Sequence, residues 1–332
     1  MVSERQQRKK RIITIIAVSL AILLLIGLGL WAVSFFEDSP QYGEGGEEAY
    51  TFGYGEVSYK GEKYALRHDV DTLLVIGLDS DTDTDDDSYN NKTKADFVML
   101  CVFDKATGKC HALNFNRDTM TDVPQLGVGG QETSTATEQL ALSFTQGSGK
   151  KDSCLNVQHA VKNLYDGIVI NNYLALNMQA VPIINDAVGG VTVKVEDDFT
   201  GIDDKLVQGQ TVTLRGNSAL TYVRQRQGLE NSTNINRISR QQQYLEALFD
   251  KAKQAAKNND NLSSDTLLKI NDYMQSSCSV NKLNEITQNF AEYDFSVEQL
   301  KGENKKGEEF MEFYCDRDAL QSRTIELLYE KK

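Results

Sequence analysis

The chain has 332 residues, 40% hydrophobic and 25% charged, with a formal net charge of −13; this length supports one large domain or two small ones. Residues 1–11 carry five Lys/Arg against one Glu, so the remainder stands at −17. That balance excludes a general nucleic-acid surface and confines any anion site to a local basic pocket. The five cysteines form no CxxC, and three dispersed histidines give no zinc pattern.

Residues 12–36 contain no charged side chain. As a helix they extend about 37 Å at about 1.5 Å per residue, enough to cross a bilayer with some tilt. Arg5, Arg8, Lys9, Lys10 and Arg11 precede the run and predict a cytoplasmic N-terminus. Trp31, Phe35 and Phe36 suit the far interface. A cleaved signal peptide has a shorter apolar region and a small-x-small site, which is not found after Ala32. The expectation is an uncleaved single-pass anchor in the cell membrane, with the rest of the chain outside the cytoplasm. Residues 37–68, rich in Gly, Tyr and Glu, are expected to form a stalk, and residues 69–332 an extracytoplasmic domain.

Thr72–Leu78 is a near-continuous apolar run, the pattern of a strand buried on both faces, and it ends in Asp79-Ser80. The acidic tract from Asp81 to Asn91 matches alternate positions of an EF-hand loop. Thr84 stands where that loop needs glycine and Asn90 where it needs glutamate, so a solvated loop is expected. Phe97–Phe103 and Cys110–Phe115 flank Asp104–Lys109 as an antiparallel hairpin. Residues 122–135 have the composition of a loop, and Ala136–Phe144 that of a helix. Cys154–Tyr165 is an amphipathic helix, Ile168–Leu176 extended, Val181–Val188 a short helix stopped by Gly189-Gly190, and Val191–Val195 a strand. A helix runs from Asn234 to about Lys257, and others are expected near 264–276, 282–291 and 317–330, with a strand near 309–314. Strands and helices interleave throughout, which predicts an α/β fold with a central sheet covered by helices. Cys101 could face Cys110 across the hairpin, and Cys278 could pair with Cys315; spacing specifies neither, and an odd count leaves one thiol over.

One stretch stands out chemically. Tyr222–Arg226 holds Arg224 and Arg226 at i, i+2, on one side of the chain if extended. Arg237, Arg240, Gln241 and Tyr244 share a face of the following helix. Such a set of guanidiniums in an acidic body suits phosphate or pyrophosphate, which arginine forks meet bidentately. Surface arginines paired to the many carboxylates are an equally good account of that stretch alone.

The order of motifs along the chain resembles the LytR-CpsA-Psr family of membrane-anchored cell-wall proteins. The matching pieces are Leu73–Ser80, Lys94-Ala95-Asp96, Asn116-Arg117-Asp118-Thr119, Asn185–Val191, Leu214–Leu220, Tyr222–Arg226 and Arg237–Gln242. The resemblance implies a phosphotransferase that takes a glycopolymer from a polyprenyl-pyrophosphate carrier and joins it to peptidoglycan through a phosphodiester. The prenyl chain would lie in an apolar pocket with the pyrophosphate and Mg²⁺, or Mn²⁺, at its mouth. It further implies Asp79 and Asp96 as metal ligands, Lys94, Arg117, Arg224, Arg226, Arg237 and Gln241 as pyrophosphate-binding residues, and Asp96, Arg117, Arg224 and Arg226 as the catalytic set. Non-catalytic polyprenyl-phosphate binding and pyrophosphate hydrolysis are the competing functions. The chain departs from the family at Lys94-Ala95, where Arg-Ser is usual, and at Asn116 in place of proline. It also departs at Asn234 in place of an acidic residue and at Thr137–Ala141 in place of Lys-Ile-Asn-His-Ala.

Overall fold

The computed structural model describes residues 56–80, 91–165, 168–225, 234–259, 261–290, 292–308 and 310–332. The expected basic tail, membrane anchor, first part of the stalk, residues 81–90 of the acidic tract and Arg226 lie outside the described residues. Among the described residues no helix is long and apolar enough to cross a membrane.

Two short strands, β1 (Glu56–Tyr59) and β2 (Glu62–Leu66), come first, followed by β3 (Val70–Leu78), β4 (Ala95–Asp104) and β5 (Lys109–Phe115). A hairpin of β6 (Met120–Leu126) and β7 (Glu132–Gln139), a 3-10 segment (Leu140–Gln146) and helix α1 (Lys151–Leu164) follow. Then come β8 (Asn172–Leu176), α2 (Ala180–Ala187), β9 (Thr192–Lys194), β10 (Thr211–Thr213), α3 (Asn217–Arg224) and the long helix α4 (Asn234–Ala256). The chain ends with α5 (Leu262–Lys269), β11 (Met274–Ser276), α6 (Val280–Phe290), β12 (Asp294–Gln299), β13 (Gly302–Lys306), β14 (Met311–Cys315), α7 (Arg317–Leu328) and β15 (Tyr329–Lys331).

The central sheet has six strands in the order β11-β8-β3-β4-β5-β12. β3, β4 and β5 form an antiparallel meander, while β8 runs parallel to β3 and β12 parallel to β5. The sheet is therefore mixed and covered by helices, as the interleaved pattern predicts. The β3 run is apolar at successive positions because both of its faces are covered. Leu74, Ile76 and Leu78 enter the main core with Val157, Val161 and Leu164 of α1 and Leu320 and Leu327 of α7. Leu73 belongs to a second cluster with Met99, Cys101, Ala112 and Ile286 on the opposite face.

Several expectations need correction. The stalk does not extend to residue 68 as irregular chain: β1 and β2 pair, and β15 closes β2 from the other side. Gly61 sits at the β1–β2 turn with φ +81, and this glycine content gave the segment its linker appearance. Residues 122–135 are largely strand, and the expected helix from Ala136 is strand through Gln139 before the 3-10 turn. β7 reads Glu-Thr-Ser-Thr-Ala-Thr-Glu-Gln and is mostly exposed, so its β-branched threonines lack the apolar alternation that marks a half-buried strand. Tyr222–Arg224 is the last turn of α3 rather than extended chain. The expected helix near 264–276 ends at Lys269 and gives way to β11. Cys101 lies opposite Ala112 and Cys110 opposite Phe103, so the two are diagonal neighbours rather than a facing pair. All five thiols are free. Cys315 sits on β14, whereas Cys278 packs beside Leu174, so those two occupy different parts of the fold.

Gly77, near the end of β3, has room for no side chain: a Cβ there would lie 2.9 Å from the Cβ of Phe97 on β4. Gly77→Ala is expected to cost about 1–3 kcal/mol through this overpacking, measured as a lower midpoint in urea denaturation.

Candidate functional site

The site begins where β3 and β4 part. Gly77 pairs with Phe97 and Leu78 with Ala95, so Asp96 is the extra residue of a β-bulge. Bulges re-aim a side chain next to functional sites, and this one brings Asp96 to the edge beside Asp79. Asp79 is fixed by the backbone of Lys94: its own N–H donates to the Lys94 carbonyl at 3.1 Å, and its Oδ1 accepts from the Lys94 N–H at 2.7 Å. A side chain at position 94 is not needed for that contact. Lys94 does not line the cavity described below, so its expected part in binding rests on charge near the edge rather than on contact.

Asp96 draws in two arginines from distant segments. Arg117, in the turn after β5, places Nη1 2.5 Å from Asp96 Oδ1, and Arg237, on the first turns of α4, places Nη1 3.7 Å from Oδ2. Arg117 Nε is buried and makes no hydrogen bond, although Asp118 Oδ1 lies 3.5 Å away. Asp118 is itself held. Its carbonyl accepts from Phe313 N–H at 2.8 Å, and its carboxylate accepts from Gln139 Nε2 at 3.2 Å while the same amide donates to the Met311 carbonyl at 2.8 Å. Gln139 and β14 therefore brace the Arg117 turn. The strand near 309–314 is legible in the sequence as β14, but the role of Gln139 is not, because the residue reads as part of a helix and carries no charge.

Arg224 is the exposed last residue of α3, where a cation also complements the helix dipole. Its helix is positioned by the Asn185–Val191 segment. Asn185 donates to the Leu214 carbonyl at 3.0 Å, Asp186 accepts from Gly216 N–H at 2.9 Å, and Gly190 at φ +84 comes so close to Leu214 that a Cβ would lie 2.7 Å from its carbonyl oxygen. Arg240 is buried beneath α3. It donates to the carbonyls of Tyr222, at 2.9 Å, and of Gln225, and it pairs with Asp197, which makes it structural. Gln241 Nε2 donates to the Val223 carbonyl at 3.2 Å, so its amide group also supports the end of α3. Arg226 lies outside the described residues.

Between α4 and the sheet runs a cavity of about 1220 Å³, larger than an ordinary small-molecule pocket. One wall is the sheet face of Leu73, Val75, Met99, Cys101 and Leu174; the other is a stripe of α4 through Tyr244, Leu245, Leu248, Phe249 and Ala252. Asp79, Asp96, Arg224, Arg237 and Gln241 line one end of it. Five expected site residues thus meet at one mouth, Arg117 stands behind Asp96, and Lys94 contributes through its backbone. The pairing of apolar bore and arginine mouth fits an amphiphile with an anionic head.

The carboxylates are unequal. Burial, together with the neighbouring Asp96 charge, raises the Asp79 pKa above the ordinary value, against the opposing pull of the Lys94 N–H and Arg117. Asp96 is neutralised by two guanidiniums; Asp79 carries no such ion pair among the described residues. A divalent cation beside Asp79 would relieve the repulsion that raises it, and two aspartates leave most of a Mg²⁺ shell to phosphate oxygens and water, the usual arrangement for that ion. The donor set therefore fits Mg²⁺ bound together with a phosphate. No cluster of three or more His, Cys, Asp or Glu able to hold a metal without such a ligand exists among the described residues.

The LytR_cpsA_psr family model matches residues 48–327. A polyisoprenyl-teichoic acid–peptidoglycan teichoic acid transferase TagU of Enterococcus faecalis is 23% identical over 303 residues, covering 91% of this chain and 90% of that protein. The TagU of Oceanobacillus iheyensis is 26% identical over 184 residues, 55% of this chain and 52% of that protein, so the chain matches about half its length. Among solved structures, a Streptococcus agalactiae protein superposes with a TM-score of 0.62 at 20% identity, covering 77% of this chain and 87% of that one. TagT bound to LI-WTA superposes with a TM-score of 0.58 at 20% identity, covering 78% and 90%. At that identity the superpositions establish a shared fold.

Two outcomes follow from the site. Asp79→Asn keeps an acceptor for the Lys94 N–H and removes the repulsion with Asp96. Because the folded-state pKa of Asp79 is raised, its favourable contribution is present at low pH and lost as pH rises through that pKa. The variant is expected to melt higher than wild type near neutral pH and equal to it in acid, measured by thermal denaturation across pH. Gln139→Ala leaves the Met311 carbonyl and the Asp118 carboxylate short of a donor and is expected to cost about 1–3 kcal/mol in urea denaturation.

Proposed function

The chain belongs to the LytR_cpsA_psr family, and from that premise we propose that it is a phosphotransferase: it moves a glycopolymer from a polyprenyl-pyrophosphate carrier to peptidoglycan and leaves a phosphodiester. The observation that carries this reading is the apolar cavity ending at Asp79, Asp96, Arg224 and Arg237. The bore accepts a hydrocarbon chain, and the mouth accepts a multiply charged phosphate ester. The names of the E. faecalis and O. iheyensis relatives favour a teichoic-acid-type polymer as the cargo. A single-pass anchor at residues 12–36 would keep the domain at the outer face of the membrane, where carrier and peptidoglycan meet. The charge of −17 outside the basic tail argues against nucleic acid as a partner.

In this mechanism the prenyl chain lies along α4 and the pyrophosphate sits at the mouth. An acceptor hydroxyl oxygen of peptidoglycan attacks the sugar-side phosphorus. The new P–O bond forms as the bond from that phosphorus to the bridging oxygen breaks, polyprenyl monophosphate leaves, and the hydroxyl proton passes to water at the mouth. Catalysis of this type is mostly positioning and charge stabilisation. Arg224 and Arg237 meet the phosphate oxygens directly, Arg226 follows Arg224 by two residues, and Arg117 reinforces the field from behind Asp96. Through its contacts with both guanidiniums, Asp96 holds Arg117 and Arg237 in place. Mg²⁺, or Mn²⁺, held by Asp79 and Asp96 would neutralise charge on the leaving phosphate.

One observation favours a second reading, carrier binding without turnover. Where family members usually have Arg-Ser, this chain has Lys94, which lacks the fork, and Ala95, which is fully buried and offers no polar group. Incubation with a polyprenyl-pyrophosphate-linked glycan, peptidoglycan and Mg²⁺ separates the readings. The transferase yields a glycan–peptidoglycan phosphodiester and polyprenyl monophosphate, and Arg224→Ala lowers the rate about 10²–10³-fold, the range for removing one transition-state contact. Tight carrier binding with no product would establish the binding reading, and monophosphate without a polymer–peptidoglycan product would indicate a hydrolase.

A further inference from the structure

The cavity carries polar residues at two places in its lining. Opposite the arginine mouth it is lined by Lys253, Lys257, Asn259, Ser263 and Glu292, of which Lys257, Asn259 and Glu292 are exposed. Lys253 is tied sideways to Asp294 at 3.3 Å rather than closing the bore. The α4 positions leading to this end are Ala252 and Ala256, the smallest side chains of the stripe. A blind pocket for a hydrocarbon ends in apolar side chains, because a buried polar group without a partner is costly. Here polar residues, three of them exposed, stand in the lining beside Leu262, Leu267 and Ile270.

The length of the bore follows from the helix. Arg237 and Ala256 both line the cavity, and 19 steps of about 1.5 Å along α4 separate them by about 28 Å. An extended carbon backbone advances roughly 1.2 Å per bond, so an isoprene unit of four backbone bonds occupies roughly 5 Å and about six units fill that distance.

We propose that the cavity is a through-passage: a prenyl carrier longer than about six units enters with its phosphate at Arg224 and Arg237 and extends its far end out between Lys257, Asn259 and Glu292. The inference rests on the polyprenyl-carrier reading of the site and adds a selection rule. The site measures a minimum prenyl length, set by the apolar bore, and imposes no maximum. Residues near Ala256 control the upper limit, because a large side chain there turns the passage into a closed pocket.

The test compares binding of a prenyl phosphate of about four units with one of about ten, by isothermal titration, in wild type and in Ala256→Trp. Wild type is expected to bind the longer carrier more tightly. In Ala256→Trp the ratio of long- to short-carrier affinity is expected to fall at least tenfold; an unchanged ratio overturns the passage. A second measurement needs no variant. A long carrier bearing a photoreactive group at its far end is expected to label the wild-type protein within residues 253–263 or at Glu292. Labelling confined to the bore, at Met99, Leu174 or Leu248, would show a folded-back tail and overturn the proposal. Absence of binding by either carrier would instead reject the polyprenyl reading itself, so the two failures look different.

Discussion

The carboxylate of Asp96 holds the site together. It stands at the bulged junction of two central strands and meets guanidiniums from the turn after β5 and from the start of α4. Without it, two cations drawn from segments more than a hundred residues apart would face each other in a partly desolvated corner. With it, the same cations are fixed at a known spacing and retain donor capacity toward an incoming anion. The arrangement is costly for apo stability, since burying charge is compensated only by good geometry. Much of the surrounding structure supplies that geometry: the backbone clasp between Asp79 and Lys94, the Gln139 bridge, and β14 behind Asp118. Burial, with the Asp96 charge beside it, raises the Asp79 pKa.

The long helix α4 divides its labour by face. One stripe forms the cavity wall, while Arg240, one residue before Gln241, turns the other way and grips the carbonyl end of α3 together with Asp197. Arg224 therefore owes its place to a structural arginine on the neighbouring helix. Two guanidiniums three residues apart on α4, Arg237 and Arg240, are both buried yet have different tasks: one lines the cavity, the other pairs with Asp197 beneath α3.

Much of this was legible in the sequence, and the exceptions have physical causes. β3, the β4–β5 hairpin, α1 and α4 announce themselves because each is apolar with a clear period or a closed turn. The mouth residues were legible through the motif order, and Asp79, Asp96, Arg224, Arg237 and Gln241 do converge. β7 was not legible, since an exposed threonine-rich strand satisfies its backbone without any apolar alternation. The helical state of Arg224 was hidden as well: Tyr222-Val223-Arg224 reads as extended chain, yet it closes a helix in which Tyr222 stacks on Phe199 and its carbonyl accepts from Arg240. Gln139 was invisible because a neutral amide acquires a role only from what a distant strand places beside it.

The closing of β2 by β15 carries a consequence for how this domain is made. Residues 62–66 find their outer partner at 329–331, and β5 finds its edge neighbour, β12, some 185 positions later in the chain. Pairings of such sequence separation form late, because chain entropy must be given up before the contacts reward it. During synthesis, a nascent chain that has reached only α4 would hold its central sheet with both edges open, since β11 and β12 come later, and would leave β2 without its outer partner; open edges recruit other strands. The fold therefore ripens from the inside outward, and its vulnerable interval lasts until the final helix and strand have emerged.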